Sequence, residues 1–376
     1  MSNVPLWLYF VAFLAVLGPL VFVHEYGHYI VGRWCGVKAD AFSIGFGRKI
    51  FGWTDKRGTE WRICWLPLGG YVQFAGDRDA VSQPDANWQA MPAAERSHSF
   101  PAQPVWKRAL IVLAGPVTNF LFAIAILAAF AMAYGQSQTP AVVGQVDPGR
   151  PAATAGLQAG DRILEIGGRS MRVFDDIQMA IAFDLGQPVN LLVERGNERF
   201  GLTVTPDIIK ETDRFGNKSE RAILGIRSGK LVYTPVGPIA AIGHGVDQTV
   251  GIVRMTASVL VQFVTGDRSI KDMSGPVKIA KTSGEVASLG IEQLIFFAAF
   301  ISINLGFINL LPLPMLDGGH LLFYGYEAVR RRPAPPQAQE WAFRFGFAAI
   351  VTLMLVVTFN DLGSIGVWDG IARLIG

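Results

Sequence analysis

Cysteine is almost missing from this chain, with only Cys35 and Cys64 among 376 residues. Two thiols are too few for a disulfide scaffold or a zinc knuckle, and both read as reduced and inert. Charge is scarce too. Asp, Glu, Lys and Arg make up 17% of the chain, while hydrophobic residues reach 51% and mean hydropathy is +0.33. Ordinary soluble domains are about a quarter charged, so a conventional soluble globule is excluded. The net charge is +3 and no basic stripe is present, which leaves no footprint for nucleic acid. No Lys or Arg precedes Arg33, so the first apolar run lacks the basic n-region of a secretory signal and is expected to be retained.

What the chain has instead is apolar length. Uncharged runs cover residues 6–23, 109–134, 294–316 and 345–360, the last borrowing Trp341 to Arg344 with the arginine snorkelling. About twenty apolar residues cross a bilayer as a helix, so the expectation is four spans. Between Arg33 and Arg108 there are eleven Lys or Arg, and Arg330-Arg331-Arg332 separates the last two runs. Short basic loops stay in the cytoplasm. Both termini and residues 136–290 are therefore expected outside, in the periplasm of a bacterial inner membrane.

At the end of the first run stands His24-Glu25-Tyr26-Gly27-His28. Two imidazoles at i and i+4 share a helix face and can bind one metal ion, and the glutamate between them can act as a base on water. Ionisable side chains beside a span are costly to keep without a functional partner. A hydrolytic zinc takes three protein ligands and leaves a position for water, so a third ligand is required. The third run ends in a second polar stretch, from Asn304 through Asn309, Pro312 and Pro314 to Asp317-Gly318-Gly319-His320. Prolines break helical pairing, and irregular backbone at membrane depth persists only where protein or water satisfies it. Asp317, at the cytoplasmic depth assigned to His24 and His28, is the leading third ligand, with a helix-breaking turn as the bland alternative. His320 ranks below it, as ligand or as orienting partner.

These residues, together with the stretches from Phe42 to Gly47 and from Leu66 to Val72, resemble the site-2 protease family of intramembrane zinc metalloproteases, in its RseP-like bacterial form. The resemblance implies Zn2+ held by His24, His28 and Asp317, with Glu25 as catalytic base. It also implies that Asn304, Asn309, Pro312 and Pro314 hold or position substrate. The substrates it implies are single-span membrane proteins such as anti-sigma factors and remnant signal peptides, cut in regulated intramembrane proteolysis. Lipid bilayer is the remaining partner.

A helical substrate hides its carbonyls in i to i−4 hydrogen bonds and must be extended before it is cut. Residues 41–47 and 61–65 read as strands, with Gly45, Gly47, Gly69 and Gly70 marking turns or close approach. Such a strand edge suits pairing with an unwound peptide, and Gly45 and Gly47 join the substrate-binding candidates. Residues 142–228 alternate strand-like and turn-like segments around Gly156-Leu157-Gln158-Ala159-Gly160-Asp161 and resemble one PDZ domain in its circularly permuted bacterial form. Within it, 189–195 and 199–205 read as a hairpin about Gly196-Asn197. Leu224, Gly225 and Ile226 would receive a peptide C-terminus, unless the domain serves as a size filter. RseP-like proteins are associated with two PDZ domains, and this chain has length for one. Residues 252–264 read as an amphipathic helix on the outer leaflet, since Asp247, Arg254, Asp267, Arg268, Lys271 and Asp272 weigh against a fifth span.

The expected fold is thus a multi-span α-helical membrane protein with four transmembrane helices, a membrane-associated β-hairpin or sheet and one periplasmic α+β PDZ domain. The first span with the histidine motif takes 1–34, the β region 35–104 and the second span 105–135. The PDZ domain takes 136–230 and a membrane-surface region 231–290. The third segment takes 291–328, a cytoplasmic loop 329–340, and the fourth span and tail 341–376. Two other functions compete: a catalytically inactive PDZ membrane scaffold, and a metal transporter. The retained Glu25 opposes the first. The second run opposes the second, since it offers only Thr118, Asn119 and Tyr134 as polar residues.

Overall fold

The computed structural model describes residues 4–77, 92, 96–182, 187–212, 218–229, 232–266 and 275–364. Asp267, Arg268, Lys271, Asp272 and the tail 365–376 lie outside the described residues. In chain order, helix α1 (Leu6–Trp34) leads to strands β1 (Ala39–Thr54) and β2 (Glu60–Phe74) and to helix α2 (Val105–Tyr134). Next come β3 (Gln136–Gln138), β4 (Val143–Val146), the short α3 (Pro151–Thr154), β5 (Arg162–Ile166), β6 (Arg169–Ser170) and α4 (Phe174–Ala182). Strands β7 (Val189–Arg195), β8 (Glu198–Val204), β9 (Asp207–Thr212), β10 (Lys218–Ile223), β11 (Ile226–Ser228) and β12 (Val232–Thr234) follow. Helices α5 (Pro238–Thr265), α6 (Pro276–Leu289), α7 (Ile291–Asn309), α8 (Asp317–Arg330) and α9 (Pro336–Ser364) complete the described chain. Two compact units result: Met1–Ala128 with Ile242–Gly376, and Ala129–Ala241.

In the first unit, α1, α2, α7 and α9 are the four helices long and apolar enough to cross a membrane among the described residues. Their outer faces stay apolar and exposed, with Leu6 at 85% and Phe345 at 77%. Water does not tolerate such a surface over whole helices, whereas lipid does. The third run does not stay helical to Leu316: α7 ends at Asn309, and the proline-bearing stretch after it forms turns up to α8. Helices α1 and α2 approach closely at Gly27, where a Cβ would fall 2.6 Å from the Ala114 carbonyl oxygen. Small residues permit such contacts in membranes, and the Thr118 hydroxyl adds a hydrogen bond to the Val23 carbonyl at 3.1 Å.

The strands expected at 41–47 and 61–65 lie inside the longer β1 and β2. The pair is more than a hairpin. Ala41 faces Gln73 on one side and Glu60 on the other, Ile44 faces Gly70 and Ile63, and the far half of β1 returns to pair Thr54 with Glu60. Gly45, at φ +87°, makes the bend possible, and a Cβ there would meet the Leu66 carbonyl oxygen at 2.8 Å.

The helix expected over 252–264 begins earlier, at Pro238, and has packed neighbours. Gly245 lies against the Ile124 carbonyl, and Ile252 and Val253 pack on the cluster of Ala123, Leu127, Ala299 and Ile303. Thr256 donates to Asn304 Oδ1 at 2.7 Å. These positions recur at helical spacing, so α5 runs alongside α2 and α7 with one face rather than lying apart on a surface.

The second unit is built on a four-stranded sheet ordered β6-β5-β7-β8, with α4 packed on it through Phe174, Ile177, Ala180 and Ile181. Strands β7 and β8 form the expected hairpin, joined at Gly196 and Asn197. Asp161, 1% exposed, accepts Arg195 Nε at 2.7 Å, Arg195 Nη2 at 2.8 Å and the Gln158 amide at 2.8 Å. Burial pushes its carboxyl up, but the Arg195 hydrogen bond, the Gln158 amide and the Arg195 charge outweigh burial and hold it below 3.8.

A carboxylate more acidic in the fold than in the unfolded chain stabilises above the unfolded pKa. That contribution is lost as pH falls through the folded pKa. Asp161→Asn is therefore expected to lower this unit's thermal midpoint by about 4 °C or more at pH 7. The gap should hold down to the ordinary aspartate range and narrow only below it. Identical melting of wild type and variant at pH 7 would refute this.

Candidate metal centre

Helix α1 carries His24, Glu25 and His28 about two to three turns before its end at Trp34, and it is held there by Gly27 against α2. The i, i+4 spacing puts both imidazoles on one face, with ring centroids 4.8 Å apart. His28 Nδ1 donates to the Ile111 carbonyl at 2.8 Å, because a carbonyl can only accept. That fixes the His28 tautomer and leaves the Nε2 lone pair facing His24 Nε2 at 3.2 Å and Asp317 Oδ1 at 3.6 Å. His24 Nε2 lies 3.3 Å from Asp317 Oδ2.

Asp317 reaches the histidines because the chain between α7 and α8 doubles back. Met315 takes φ +81° and Leu316 is extended, so α8 starts abruptly at Asp317. The two following glycines are required by packing. A Cβ on Gly318 would collide with the Leu310 and Leu311 carbonyls, and one on Gly319 with the Leu313 carbonyl. The tight first turn of α8 delivers the carboxylate, and the helix N-terminus favours its charge.

The ligand atoms of His24, His28 and Asp317 all lie within 4.8 Å of one another. Asp317 Oδ2 is buried with no hydrogen-bond partner. A buried carboxylate oxygen left so, beside two imidazole nitrogens, is a donor set suited to zinc. The fit extends to α2: a Cβ on Gly115 would meet His28 Nε2 and Cε1, and would fall 2.9 Å from His24 Cε1. Only glycine leaves room for both rings.

Glu25 sits between the histidines and against β2, where a Cβ on Gly70 would fall 2.9 Å from Glu25 Cγ. The carboxylate is thus sandwiched between the metal-holding face and a strand. Asn309 belongs to the same place, with Nδ2 3.5 Å from His24 Nε2. Asn304 does not. Its Oδ1 accepts from Thr256, and its Nδ2 donates to the Phe300 carbonyl at 2.8 Å. Five residues separate Asn304 from Asn309, which is about 140° around a helix. The stripe of α7 that turns towards α2 is Ser302, Gly306 and Asn309, with Ser302 donating to the Asn119 carbonyl at 2.9 Å.

Pro312 and Pro314 lie in the break between α7 and α8, and Pro314 packs against Gly346 of α9. Gly45 and Gly47 shape the bend of β1. His320 is outside the metal-capable set, and its ring packs 5.1 Å from Phe343.

Three residues of α2 were not assigned to the site from the sequence: Gly115, Thr118 and Asn119. Asn119 is fully buried, with Nδ2 3.2 Å from His24 Nδ1. Their signal was present, as a small and polar patch inside an otherwise apolar run.

In the second unit, a groove of about 240 Å3 lies between α4 and the segment Ala222 to Ile226. Phe174, Ile177 and Ile181 form one wall, and Leu224, Gly225 and Ile226 form the other. Gly225 takes φ +78°.

Residues 12–353 match the profile of "Peptidase family M50". The "Putative zinc metalloprotease Atu1380" of Agrobacterium fabrum is 43% identical over 362 residues, covering 95% of this chain and 96% of that one. "Metalloprotease MmpA" of Caulobacter vibrioides is 38% identical over 390 residues, covering 97% and 98%. Among solved structures, the PDZ domain of an SdrC-like protein from Listeria monocytogenes is 23% identical over 24% of this chain and 87% of that one, with a TM-score of 0.20.

Proposed function

Since the chain belongs to peptidase family M50, the site-2 protease family of zinc metalloproteases, we propose that His24, His28 and Asp317 hold the zinc and that Glu25 is the catalytic base. The bond it hydrolyses lies within or near the span of a single-span membrane protein. The observation that carries this reading is the convergence of three ligand atoms within 4.8 Å, from a helix long and apolar enough to span a membrane and from the turn after another.

Zinc, when bound, supplies Lewis acidity towards the scissile carbonyl and towards water. Glu25 takes a proton from the attacking water and returns it to the leaving amine. Asn309, beside His24, donates from its amide to the substrate backbone. The stretch of β2 from Gly70 to Gln73, paired with β1 on one side only, offers backbone to an unwound peptide next to Glu25, so the substrate is held extended while it is cut. The basic loops, 33–108 and Arg330-Arg331-Arg332, support a metal centre towards the cytoplasmic side of a bacterial inner membrane, with residues 136–230 as a periplasmic PDZ domain.

The groove at Leu224, Gly225 and Ile226 supports two roles for that domain, capture of a freshly cut C-terminus or exclusion of bulky substrates. We favour exclusion, with anti-sigma-like proteins and signal-peptide remnants as the substrate class. The groove itself gives the test. Ile177→Arg fills it with charge, and cleavage of a substrate already trimmed to its span should be unchanged in detergent. A tenfold or greater loss with that trimmed substrate would mean that the groove delivers it. The main reading is tested by reconstituting the purified chain with a single-span substrate. Cleavage should vanish with a zinc chelator and return with added zinc, and chelator-resistant cleavage would overturn it.

A further inference from the structure

Asn119 has no part in the mechanism above, yet its side chain is tightly held. It is fully buried in α2, its main-chain carbonyl accepts Ser302 Oγ at 2.9 Å, and a Cβ on Gly306 would fall 3.3 Å from its Cβ. Its amide faces His24 Nδ1 at 3.2 Å through Nδ2, and its Oδ1 is buried without a partner. A half-turn of the carboxamide exchanges Oδ1 and Nδ2 while every other heavy atom stays in place, so the orientation is decided by hydrogen-bond chemistry.

If Nδ2 donated to Nδ1, the His24 proton would sit on Nε2. That is the atom 3.3 Å from Asp317 and 3.2 Å from His28 Nε2, and with a proton it could hold no cation. Turned over, Asn119 Oδ1 accepts the Nδ1 proton and Nε2 presents its lone pair. His28 is already in that tautomer, through the Ile111 carbonyl. We infer that Asn119 is a positioning residue whose Oδ1 accepts the His24 Nδ1 proton, holding His24 in the tautomer and ring orientation that bind zinc. This rests on the metal-centre reading. It extends that reading to α2, which then orients both histidines, one by a main-chain carbonyl and the other by a side chain. An acceptor on the far nitrogen also makes the near one a stronger ligand.

The test is zinc affinity of the purified full chain by chelator competition, with the visible spectrum of the cobalt-substituted protein as a second readout. Asn119→Leu, of similar size and without an acceptor, should weaken zinc about 10- to 100-fold and shift the cobalt bands. Asn119→Ala, which adds no bulk, should show the same loss. Asn119→Asp can only accept, and it should bind zinc at least as tightly as wild type. Thermal unfolding of each metal-free variant separates lost folding from lost affinity.

Wild-type affinity in Asn119→Leu or Asn119→Ala would overturn the inference. So would equal weakening in Asn119→Asp and Asn119→Leu, since only the second removes the acceptor. His24→Ala separates the two levels. If it loses zinc while Asn119→Leu does not, only the inference falls. If it keeps zinc, the metal-centre reading falls and takes the inference with it.

Discussion

Gly115→Ala is expected to empty the metal centre with a single methyl group. The added Cβ would overlap His28 Nε2 and Cε1 and crowd His24 Cε1 at 2.9 Å, closer than real side chains approach. His28 has little freedom to retreat, because its Nδ1 is bonded to the Ile111 carbonyl at 2.8 Å, one turn away on the same helix. The ring must rotate out of the ligand position or α2 must move away from α1. Either change displaces a ligand by about 1 Å, and misplacement on that scale costs on the order of 100-fold in rate. Alanine is the better helix former, so the loss should not come from unfolding of α2. Bound zinc per chain, cleavage rate and thermal midpoint should be measured together. Gly18→Ala is the control, since a Cβ there has nothing within 4 Å. A Gly115→Ala protein with full zinc and normal turnover would contradict the geometry described above.

Glu25→Gln should give the opposite dissociation, with zinc kept and cleavage lost. The amide occupies nearly the same volume between the histidine face and Gly70, and it removes no ligand. It cannot take up a proton, however. Loss of a general base costs about 100- to 10,000-fold. In membranes carrying this variant, a span-containing fragment should accumulate that wild type removes, and comparative proteomics would identify it. Unchanged turnover would remove Glu25 from the mechanism and would favour a base supplied from elsewhere.

The sequence revealed those parts of the centre whose spacing is short. His24, Glu25 and His28 are legible because one helical turn joins them. Asp317 is legible because a third ligand is required and few carboxylates lie beside a span. Asn304 stood out in the sequence because an asparagine in an apolar run looks functional whichever way it faces. The helical period, counted back from Asn309, would have selected Ser302 and Gly306 instead. Gly115 and Asn119 were left unassigned for a different reason. Their importance lies in what α2 touches, and nothing in 109–134 announces that it lies against His24. The extent of β1 and β2 was also hidden, because strands paired on both sides lose the simple alternation of a half-exposed sheet. Helix α5 was read as lying on a surface because its charges count against a span, whereas its face of small and apolar residues determines its packing.

His24 and Asn309 meet across 285 residues, and the first unit is assembled from the beginning and the end of the chain with a second unit inserted between them. A ribosome that has made everything up to α7 has released both histidines and the glutamate but not the carboxylate that completes the cage. On the metal-centre reading, a product that stops before Asp317 lacks one of the three ligand residues and is expected to be inert.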